Sequence, residues 1–164
     1  MRVLGIDPGS IVTGYGIVED LQDKLTHIAS GTIPLSRFTT FPRRLREIYE
    51  RLTSIISSYS PECAALEEVF FAKNVRSAIK LSHARGVAIL AAENAGLLLF
   101  EYSPLLIKQS TVGYGRASKN QTEKMTRYLL KIPEVKSLDA SDALAVAICH
   151  LHSAKTKSRL EVFR

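Results

Sequence analysis

The chain predicts an α/β fold, with a mixed sheet of about five strands flanked by helices. Short apolar runs separated by turn residues fill the first part of the chain, and strand-like and helix-like segments alternate after it. A length of 164 residues fits one domain with a real hydrophobic core. We therefore expect a single domain over residues 1–154, followed by a polar and mobile tail over residues 155–164.

Three strands are predicted to come first, over residues 2–7, 11–18 and 25–33. Pro8-Gly9-Ser10 is typical of a turn, and residues 20–24 are predicted to form a hairpin connection. Because consecutive strands joined by short turns pair antiparallel, these three should form a meander.

Helices and strands alternate in the rest of the chain. Residues 41–58 predict an amphipathic helix whose apolar stripe would pack on the sheet. Residues 62–67 show little polar alternation and predict a central strand. In such a sheet ligands collect at the carboxyl ends of the strands, which is where Asp7 and Glu67 lie. The remaining predictions are helices over 75–95, 104–112, 119–131 and 139–153 and a strand over 97–102. The helix over 75–95 is apolar on more than one face beyond Gly86, which predicts that it is sandwiched or faces a second subunit.

Composition excludes several classes of protein. No apolar run reaches membrane-spanning length and the first residues lack the layout of a signal peptide, so we expect a soluble, cytoplasmic protein without membrane contact. Cys63 and Cys149 lie in apolar contexts and predict buried free thiols, and His150 and His152 are badly spaced for a shared metal. A net charge of +6, from 22 Lys+Arg against 16 Asp+Glu, is compatible with a polyanionic partner.

Four carboxylates stand at the ends of predicted buried elements: Asp7, Glu67, Asp139 and Asp142. Buried acids destabilise a protein unless positive charge pairs with them. Four such groups suit a pair of divalent ions, and carboxylate oxygens favour Mg²⁺, with Mn²⁺ as a substitute. The sequence therefore predicts a metal site at one edge of the sheet.

Each acid also has a purely structural interpretation. Asp139 and Asp142 could cap the first turn of the last helix, and Asp7 could serve the turn before Pro8. Glu67 is followed by Glu68, and strand alternation sends the two to opposite faces without showing which one points to the site. The conjunction of all four favours the metal interpretation.

Several blocks of sequence occur in the order found in one known family. They are Gly5-Ile6-Asp7-Pro8-Gly9-Ser10 with Thr13-Gly14-Tyr15-Gly16, Leu66-Glu67-Glu68-Val69-Phe70-Phe71-Ala72-Lys73-Asn74, Ala84-Arg85-Gly86-Val87-Ala88, Lys108-Gln109 with Val112-Gly113-Tyr114-Gly115 and Lys119, and Asp139-Ala140-Ser141-Asp142-Ala143-Leu144-Ala145. In these blocks the chain resembles the RuvC family of Holliday-junction resolvases.

The resemblance implies an RNase H-like fold, a homodimer, and nicking of four-way DNA junctions with two Mg²⁺ ions per site, alongside the RuvA–RuvB branch-migration complex. It implies that the metal ligands are Asp7, Glu67, Asp139 and Asp142, with Glu67 chosen over Glu68. Lys108 and Lys119 are candidate catalytic cations, and Phe70 is implied to stack on unpaired bases. Candidate phosphate contacts are Lys73, Arg76, Lys80 and Arg85, of which Arg85 could equally belong to a structural ion pair.

Two other functions fit parts of the sequence. Asp7-Pro8-Gly9 on a first strand is also typical of actin-like and sugar-kinase-like ATP binders, although that fold normally needs two lobes. A nucleic-acid-binding module with the same fold and no catalysis is the other alternative, against which the presence of all four acids argues.

Overall fold

The computed structural model describes residues 1–38, 40–68 and 75–162. The elements in chain order are β1 (Arg2–Asp7), β2 (Val12–Leu21), β3 (Lys24–Pro34), α1 (Phe41–Tyr59), β4 (Cys63–Glu67), α2 (Val75–Asn94), β5 (Leu98–Tyr102), α3 (Pro104–Val112), α4 (Lys119–Leu130) and α5 (Leu138–Val162).

The strands form one mixed sheet in the order β3-β2-β1-β4-β5. The first three strands pair antiparallel, whereas β1 pairs parallel with β4 and β4 pairs parallel with β5. The carboxyl ends of β1, β4 and β5 therefore lie at the same edge, where ligands of such sheets collect. The predicted five-stranded mixed sheet is confirmed.

Each face of the sheet carries its own helices and its own core. Leu4 and Ile6 of β1 pack on one face with residues of α1 and α2, including Leu52 and Ala88. Val3 packs on the other face with residues of α4 and α5. Alternate residues of β1 serve opposite cores, because successive side chains of a strand point to opposite faces.

The helix α5 lies unusually close to the middle of the sheet, because glycines face it. A Cβ atom at Gly5 would lie 1.9 Å from the carbonyl oxygen of Ala143, and one at Gly14 would lie 2.1 Å from the carbonyl oxygen of Asp139. The strands therefore hold the first turns of α5 directly against β1 and β2.

The hairpin between the second and third strands is shorter than the sequence predicts. The connection is only Gln22 and Asp23, both with positive φ, because β2 and β3 continue to Leu21 and Lys24. Such a two-residue turn matches the twist of the paired strands.

The segment predicted as a mobile tail is instead helical through Val162, as the last part of α5. An ion pair of 2.5 Å between Lys155 and Asp23 ties this extension to the β2–β3 hairpin. The sequence of the extension contains Lys, Arg, Leu and Glu, whose good helix propensity favours continuation of the helix.

Two further predictions concern membranes and thiols. In the described ranges, no helix has both the length and the apolar character required to span a bilayer. Cys63 and Cys149 are buried and free, which confirms that prediction.

Candidate active site

The structure brings the four predicted acids to one edge of the sheet. Asp7 ends β1 and Glu67 ends β4, and these strands are parallel neighbours in which Ile6 faces Leu66. Asp139 and Asp142 lie in the first turns of α5, whose start is held against Gly14, the β2 partner of Asp7. Residues far apart in sequence therefore meet because three elements end or begin at this edge.

Burial has the largest effect on the electrostatics of this cluster, and repulsion between its acids adds to it. Burial, reinforced by the charges of Asp142, Glu67 and Asp139, raises the pKa of the Asp7 carboxyl to about 7, although Lys119 opposes the shift. Burial and the charge of Asp142 also raise the pKa of Glu67. Negative charge at this edge thus exceeds what the neighbouring lysines neutralise.

Glu67, rather than Glu68, belongs to this cluster. Glu67 is half-buried and interacts electrostatically with Asp142, Lys119 and Lys108. Glu68 is exposed, and its backbone N–H donates to the carbonyl of Tyr102. Glu68 lines the same cleft as Asp7, but it is the charge of Glu67 that acts on Asp7, which favours Glu67 in the choice that strand alternation left open.

The first turn of α5 does not need its acids as caps. The hydroxyl oxygen of Ser137 accepts a hydrogen bond from the Ala140 backbone N–H at 3.1 Å, as an N-cap side chain does. Asp139 and Asp142 are therefore not consumed in capping, and their carboxylates remain available at the site.

Lys119 contacts an acid of the cluster directly. Its Nζ lies 3.0 Å from Asp142 Oδ2, and this hydrogen bond raises the pKa of the ammonium. Ser118 caps α4 with a capping box, which fixes Lys119 at the first position of that helix. Lys108 of α3 lines the same small cleft, of about 70 Å³, together with Lys119, Glu67 and Asp142.

Arg85 is engaged in contacts within the protein and is not exposed as a phosphate-binding residue would be. Its guanidinium is buried, donates from Nη1 to the Glu67 carbonyl oxygen at 2.6 Å, and pairs through Nη2 with Glu101 Oε1 at 2.6 Å. These bonds tie α2 to the ends of β4 and β5. The arrangement matches the alternative of a structural ion pair rather than the phosphate contact.

The turn that follows Asp7 is held by contacts that the sequence did not reveal. Thr13 exchanges hydrogen bonds with the backbone of Gly9, at 3.2 Å from the Gly9 N–H and 3.1 Å to its carbonyl. Arg44 of α1 donates to the Ser10 carbonyl at 3.2 Å. The hydrogen bonds of Thr13 and Arg44 fix the chain that follows β1. In the sequence, only the Thr13-Gly14 motif pointed to one of these two residues.

Other predicted DNA contacts remain exposed or lie outside the described part of the chain. Arg76 and Lys80 are exposed on α2. Phe70 and Lys73 fall in residues 69–74, outside the described residues.

The site fits a divalent metal by its chemistry. Asp7 and Glu67 line a cleft of about 260 Å³, and the excess negative charge of the four acids calls for a cation with hard oxygen ligands. In the arrangement seen among the described residues, no three Asp, Glu, His or Cys side chains already form a metal-holding group.

The fold and this site define an RNase H-like α/β protein with an acidic centre at the carboxyl edge of its sheet. The family model described as crossover junction endodeoxyribonuclease RuvC matches residues 3–150. The chain belongs to the RuvC family.

Curated relatives support this assignment over the whole length. The crossover junction endodeoxyribonuclease RuvC of Geobacter sulfurreducens is 50% identical over 164 residues, covering 100% of both chains. That of Pelobacter propionicus is 54% identical over 153 residues, covering 93% of this chain and 87% of the relative.

Solved structures agree in fold. A Thermus thermophilus RuvC in complex with a Holliday junction substrate has a TM-score of 0.90 and 31% identity, covering 96% of each chain. The yeast mitochondrial resolvase Ydc2 shares the fold at a TM-score of 0.75 and 16% identity, covering 98% of this chain and 82% of that one.

Proposed function

We propose that this protein is an endonuclease that resolves four-way DNA junctions by paired, symmetric nicks during recombination and repair. The observation that carries the proposal is the convergence of Asp7, Glu67, Asp139 and Asp142 beside Lys119 at one sheet edge. Membership of the RuvC family, and the junction bound by the Thermus thermophilus relative, support the substrate class.

The metal proposal is two Mg²⁺ ions held by the four acids, with Mn²⁺ as a substitute. When bound, such a pair activates a water and stabilises the leaving 3′-oxygen of an in-line displacement. Asp7 would contribute its carboxylate to this site together with Glu67 and Asp142, since the charges of both act on it. Its raised pKa means that cation binding displaces a proton from this carboxyl.

The lysines act on charge that develops during cleavage. Lys119 pairs with Asp142, which places its ammonium at the edge of the cluster although its side chain is 75% exposed. Lys108 faces the same cleft from α3. Fixed cations stabilise negative charge that grows on the phosphate in the transition state without reorganising.

Arg76 and Lys80 are proposed phosphate contacts because both are exposed on α2, the helix that follows the site-bearing strand β4. Lys73 is proposed as a further phosphate contact, and Phe70 as the residue that stacks on unpaired bases. Stacking on an aromatic ring is worth about 1–3 kcal/mol per base, enough to help hold a junction open.

The homodimer is proposed to form through α2. Val75, Ile79 and Leu90 are 72%, 52% and 50% exposed, and their helical positions fall on one stripe with Gly86, where an added Cβ would meet no atom within 4 Å. An exposed apolar stripe with a glycine in its middle suits close packing against a second copy. A twofold dimer would place two sites on opposed strands.

Cooperation with the RuvA–RuvB branch-migration complex and a cytoplasmic location complete the proposal. Both follow from the family resemblance and from a DNA substrate.

A nicking assay tests the function. A synthetic four-way junction and a linear duplex of the same sequence would each be incubated with Mg²⁺ or with EDTA. Paired nicks on the junction alone, lost in EDTA, are the expected result. Equal cutting of both substrates would contradict junction selectivity, and tight junction binding without cutting would support the non-catalytic binding module instead.

A further inference from the structure

The two histidines in the second half of α5 tie that helix to other elements. His150 is only 3% exposed, and both of its ring nitrogens have partners. Nδ1 lies 2.7 Å from the Tyr102 hydroxyl at the end of β5, and Nε2 lies 3.3 Å from Cys63 Sγ at the start of β4. His152 donates from Nδ1 to the Ser110 carbonyl of α3 at 2.9 Å. Each histidine therefore has its own partners, and we call Cys63, His150 and Tyr102 the buried polar chain.

The buried polar chain is uncharged near neutral pH. Burial lowers the pKa of His150, raises the pKa of the Cys63 thiol to about 11 and raises the pKa of Tyr102 to about 12. A neutral imidazole donates through one nitrogen and accepts at the other, so the two hydrogen bonds run in one direction. Either the phenol donates to Nδ1 and Nε2–H donates to sulfur, or the thiol donates to Nε2 and Nδ1–H donates to the phenol. Sliding or rotating α5 would break both bonds and leave buried ring nitrogens unpaired, which is unfavourable.

The other contacts between α5 and the sheet give less directional restraint. Where α5 crosses β1, its backbone at Ala143 and Ala147 lies against Gly5, which has no side chain to interdigitate. Burial of Leu144 and Ile148 stabilises the contact, but the hydrophobic effect has no direction. Fixing the register of packed elements is the best-attested use of a buried polar group. The buried polar chain supplies this directional contact.

The buried polar chain also joins the elements that carry the site acids. Tyr102 is the register partner of Glu67, and its carbonyl accepts from the Glu68 backbone N–H at 2.8 Å. On α5, roughly 12 Å of helix separates His150 from Asp142. Because a helix moves as a rigid element, slippage at His150 reaches Asp142 and changes its distance from Glu67.

We propose that His150 is a positioning residue, which fixes the register of α5 against β4 and β5 and thereby sets the spacing between the acids of α5 and Glu67. It acts through the helix and touches neither substrate nor metal. A displacement of about 1 Å near the chemistry can slow a reaction by about 100-fold, so a small slip of α5 would matter. This inference rests on the proposed metal site and deepens it.

Four variants separate this role from simple loss of stability. His150→Phe keeps a ring and removes both hydrogen bonds. Tyr102→Phe removes only a hydroxyl, so it keeps the packing and tests the inference even where His150→Phe does not fold. His150→Asn puts an amide near the position of Nδ1 and can keep the bond to Tyr102. The matched control is Ile148→Val, which removes one methylene from a fully buried apolar side chain of the same helix.

Four measurements are made on each protein. Denaturant unfolding gives the stability. Mn²⁺ binding without DNA, followed by the electron paramagnetic resonance signal of the free ion, gives the metal affinity. A Mg²⁺ titration of single-turnover nicking gives the midpoint for the reaction. Nuclear Overhauser contacts from Gly5 and Gly14 to the first turns of α5, recorded in EDTA, report the register of the helix without metal.

His150→Phe and Tyr102→Phe should bind Mn²⁺ about 10-fold more weakly or worse and raise the Mg²⁺ midpoint in parallel, as when partners of metal ligands are lost. Their contacts from Gly5 and Gly14 should weaken or move to other residues of α5, while junction affinity in EDTA stays as in wild type. His150→Asn should lie between wild type and His150→Phe. Ile148→Val should lose stability but keep the wild-type Mn²⁺ affinity and the wild-type contacts.

Wild-type Mn²⁺ affinity and wild-type contacts in His150→Phe and Tyr102→Phe would overturn the inference and leave the buried polar chain with a purely structural role. An equal loss of Mn²⁺ affinity in Ile148→Val would overturn it as well, since metal binding would then follow stability alone. A wild-type protein that binds no Mn²⁺ is a different result. It would refute the proposed metal site, while the contacts in EDTA would still decide whether His150 sets the register.

Discussion

At the scale of single residues, the Asp7 carboxyl links the stability of the protein to pH and to the proposed metal binding. Its pKa rises from 3.8 to about 7 in the folded protein through burial and the neighbouring acids. Between these values the folded state holds a proton that the unfolded chain has released. The free energy of unfolding of the metal-free protein therefore falls as pH rises from about 4 to 7, by at most on the order of 4 kcal/mol.

The first prediction compares wild type with Asp7→Asn in thermal melts from pH 4 to 8. In EDTA, wild type should lose stability toward pH 8 while the variant, which lacks the charge, changes less. Mg²⁺ should restore wild type above pH 7 and leave the variant unaffected, and the variant should bind junctions without nicking them. Parallel pH profiles of the two proteins would show that Asp7 is not strained by its neighbours.

Arg85 carries the second prediction, as a positioning residue for Glu67. Arg85→Ala removes the bonds to the Glu67 carbonyl and to Glu101, so the end of β4 loses its anchor on α2. The midpoint of a Mg²⁺ titration should rise by about 10-fold or more, as when partners of metal ligands are lost. Arg85→Lys should recover part of that loss, because its ammonium can still reach one acceptor.

The salt dependence of junction binding separates this role from phosphate contact. A positioning residue leaves the slope of log K against log salt unchanged, whereas a lost phosphate contact lowers it by about 1. Lys80→Ala is the matched control, because it removes an exposed cation from the same helix and should lower the slope. A lower slope in Arg85→Ala would return Arg85 to the DNA interface.

The acids of the site could be predicted from sequence because each stands at the end of a recognisable apolar element. The contacts of Arg85 could not, because its acceptors are a main-chain carbonyl and Glu101, which only the β4–β5 pairing brings together. The sequence shows that residue 85 is an arginine in a basic protein, but it does not show that this side chain is buried. The Ser137 cap was hidden in the same way, behind two acids that could have capped α5 themselves.

At the scale of elements, the position of the acids depends on how closely α5 approaches the sheet. A Cβ at Gly14 would lie 2.1 Å from the Asp139 carbonyl oxygen and 2.4 Å from its carbon, both of them backbone atoms that cannot rotate away. The third prediction is that Gly14→Ala destabilises the protein by about 1–3 kcal/mol through overpacking. Because α5 must shift at its acid-bearing end, single-turnover nicking should fall further than stability alone explains.

Gly31→Ala is the matched control for this prediction. The Cβ it adds would meet the ring and hydroxyl of Tyr15 at 2.9–3.1 Å, and a side chain can move where a backbone cannot. Denaturant unfolding and nicking rates should both stay closer to wild type. If the two alanine variants cut equally well, the close approach of α5 would not determine the site.

The elements themselves were largely predictable, since strong apolar periodicity specifies where strands and helices lie. The errors fall where that signal ends. The β2–β3 turn is shorter than predicted because paired backbone extends the strands through polar residues. The end of α5 was missed because the sequence over residues 154–162 shows no clear apolar periodicity, and the anchor on Asp23 is a long-range contact.

At the scale of the whole molecule, the two faces of the sheet contribute different residues to the proposed function. The face covered by α3, α4 and α5 supplies two of the acids and both candidate lysines. The face covered by α1 and α2 supplies the Arg85 anchor and the exposed stripe proposed for dimerisation. Since Arg85 and the stripe share α2, docking of a second copy would bear on the same helix that holds Glu67 in place.

The fourth prediction tests that dimer. Leu90→Asp places a charge in the α2 stripe, where burying it against a second copy would be strongly unfavourable. Sedimentation at micromolar concentration should show a dimer for wild type and a monomer for the variant. The monomer should release mostly singly nicked junctions, because one site cannot cut two opposed strands together.

Leu21→Asp is the control, since Leu21 is 56% exposed at the end of β2 and Leu90 is 50% exposed. It adds the same charge at a similar exposure and should remain dimeric with paired nicks. A Leu90→Asp protein that still sediments as a dimer would move the interface away from α2. A monomeric variant that still makes paired nicks would instead separate dimerisation from symmetric cleavage, because the junction itself would then be bringing two copies together.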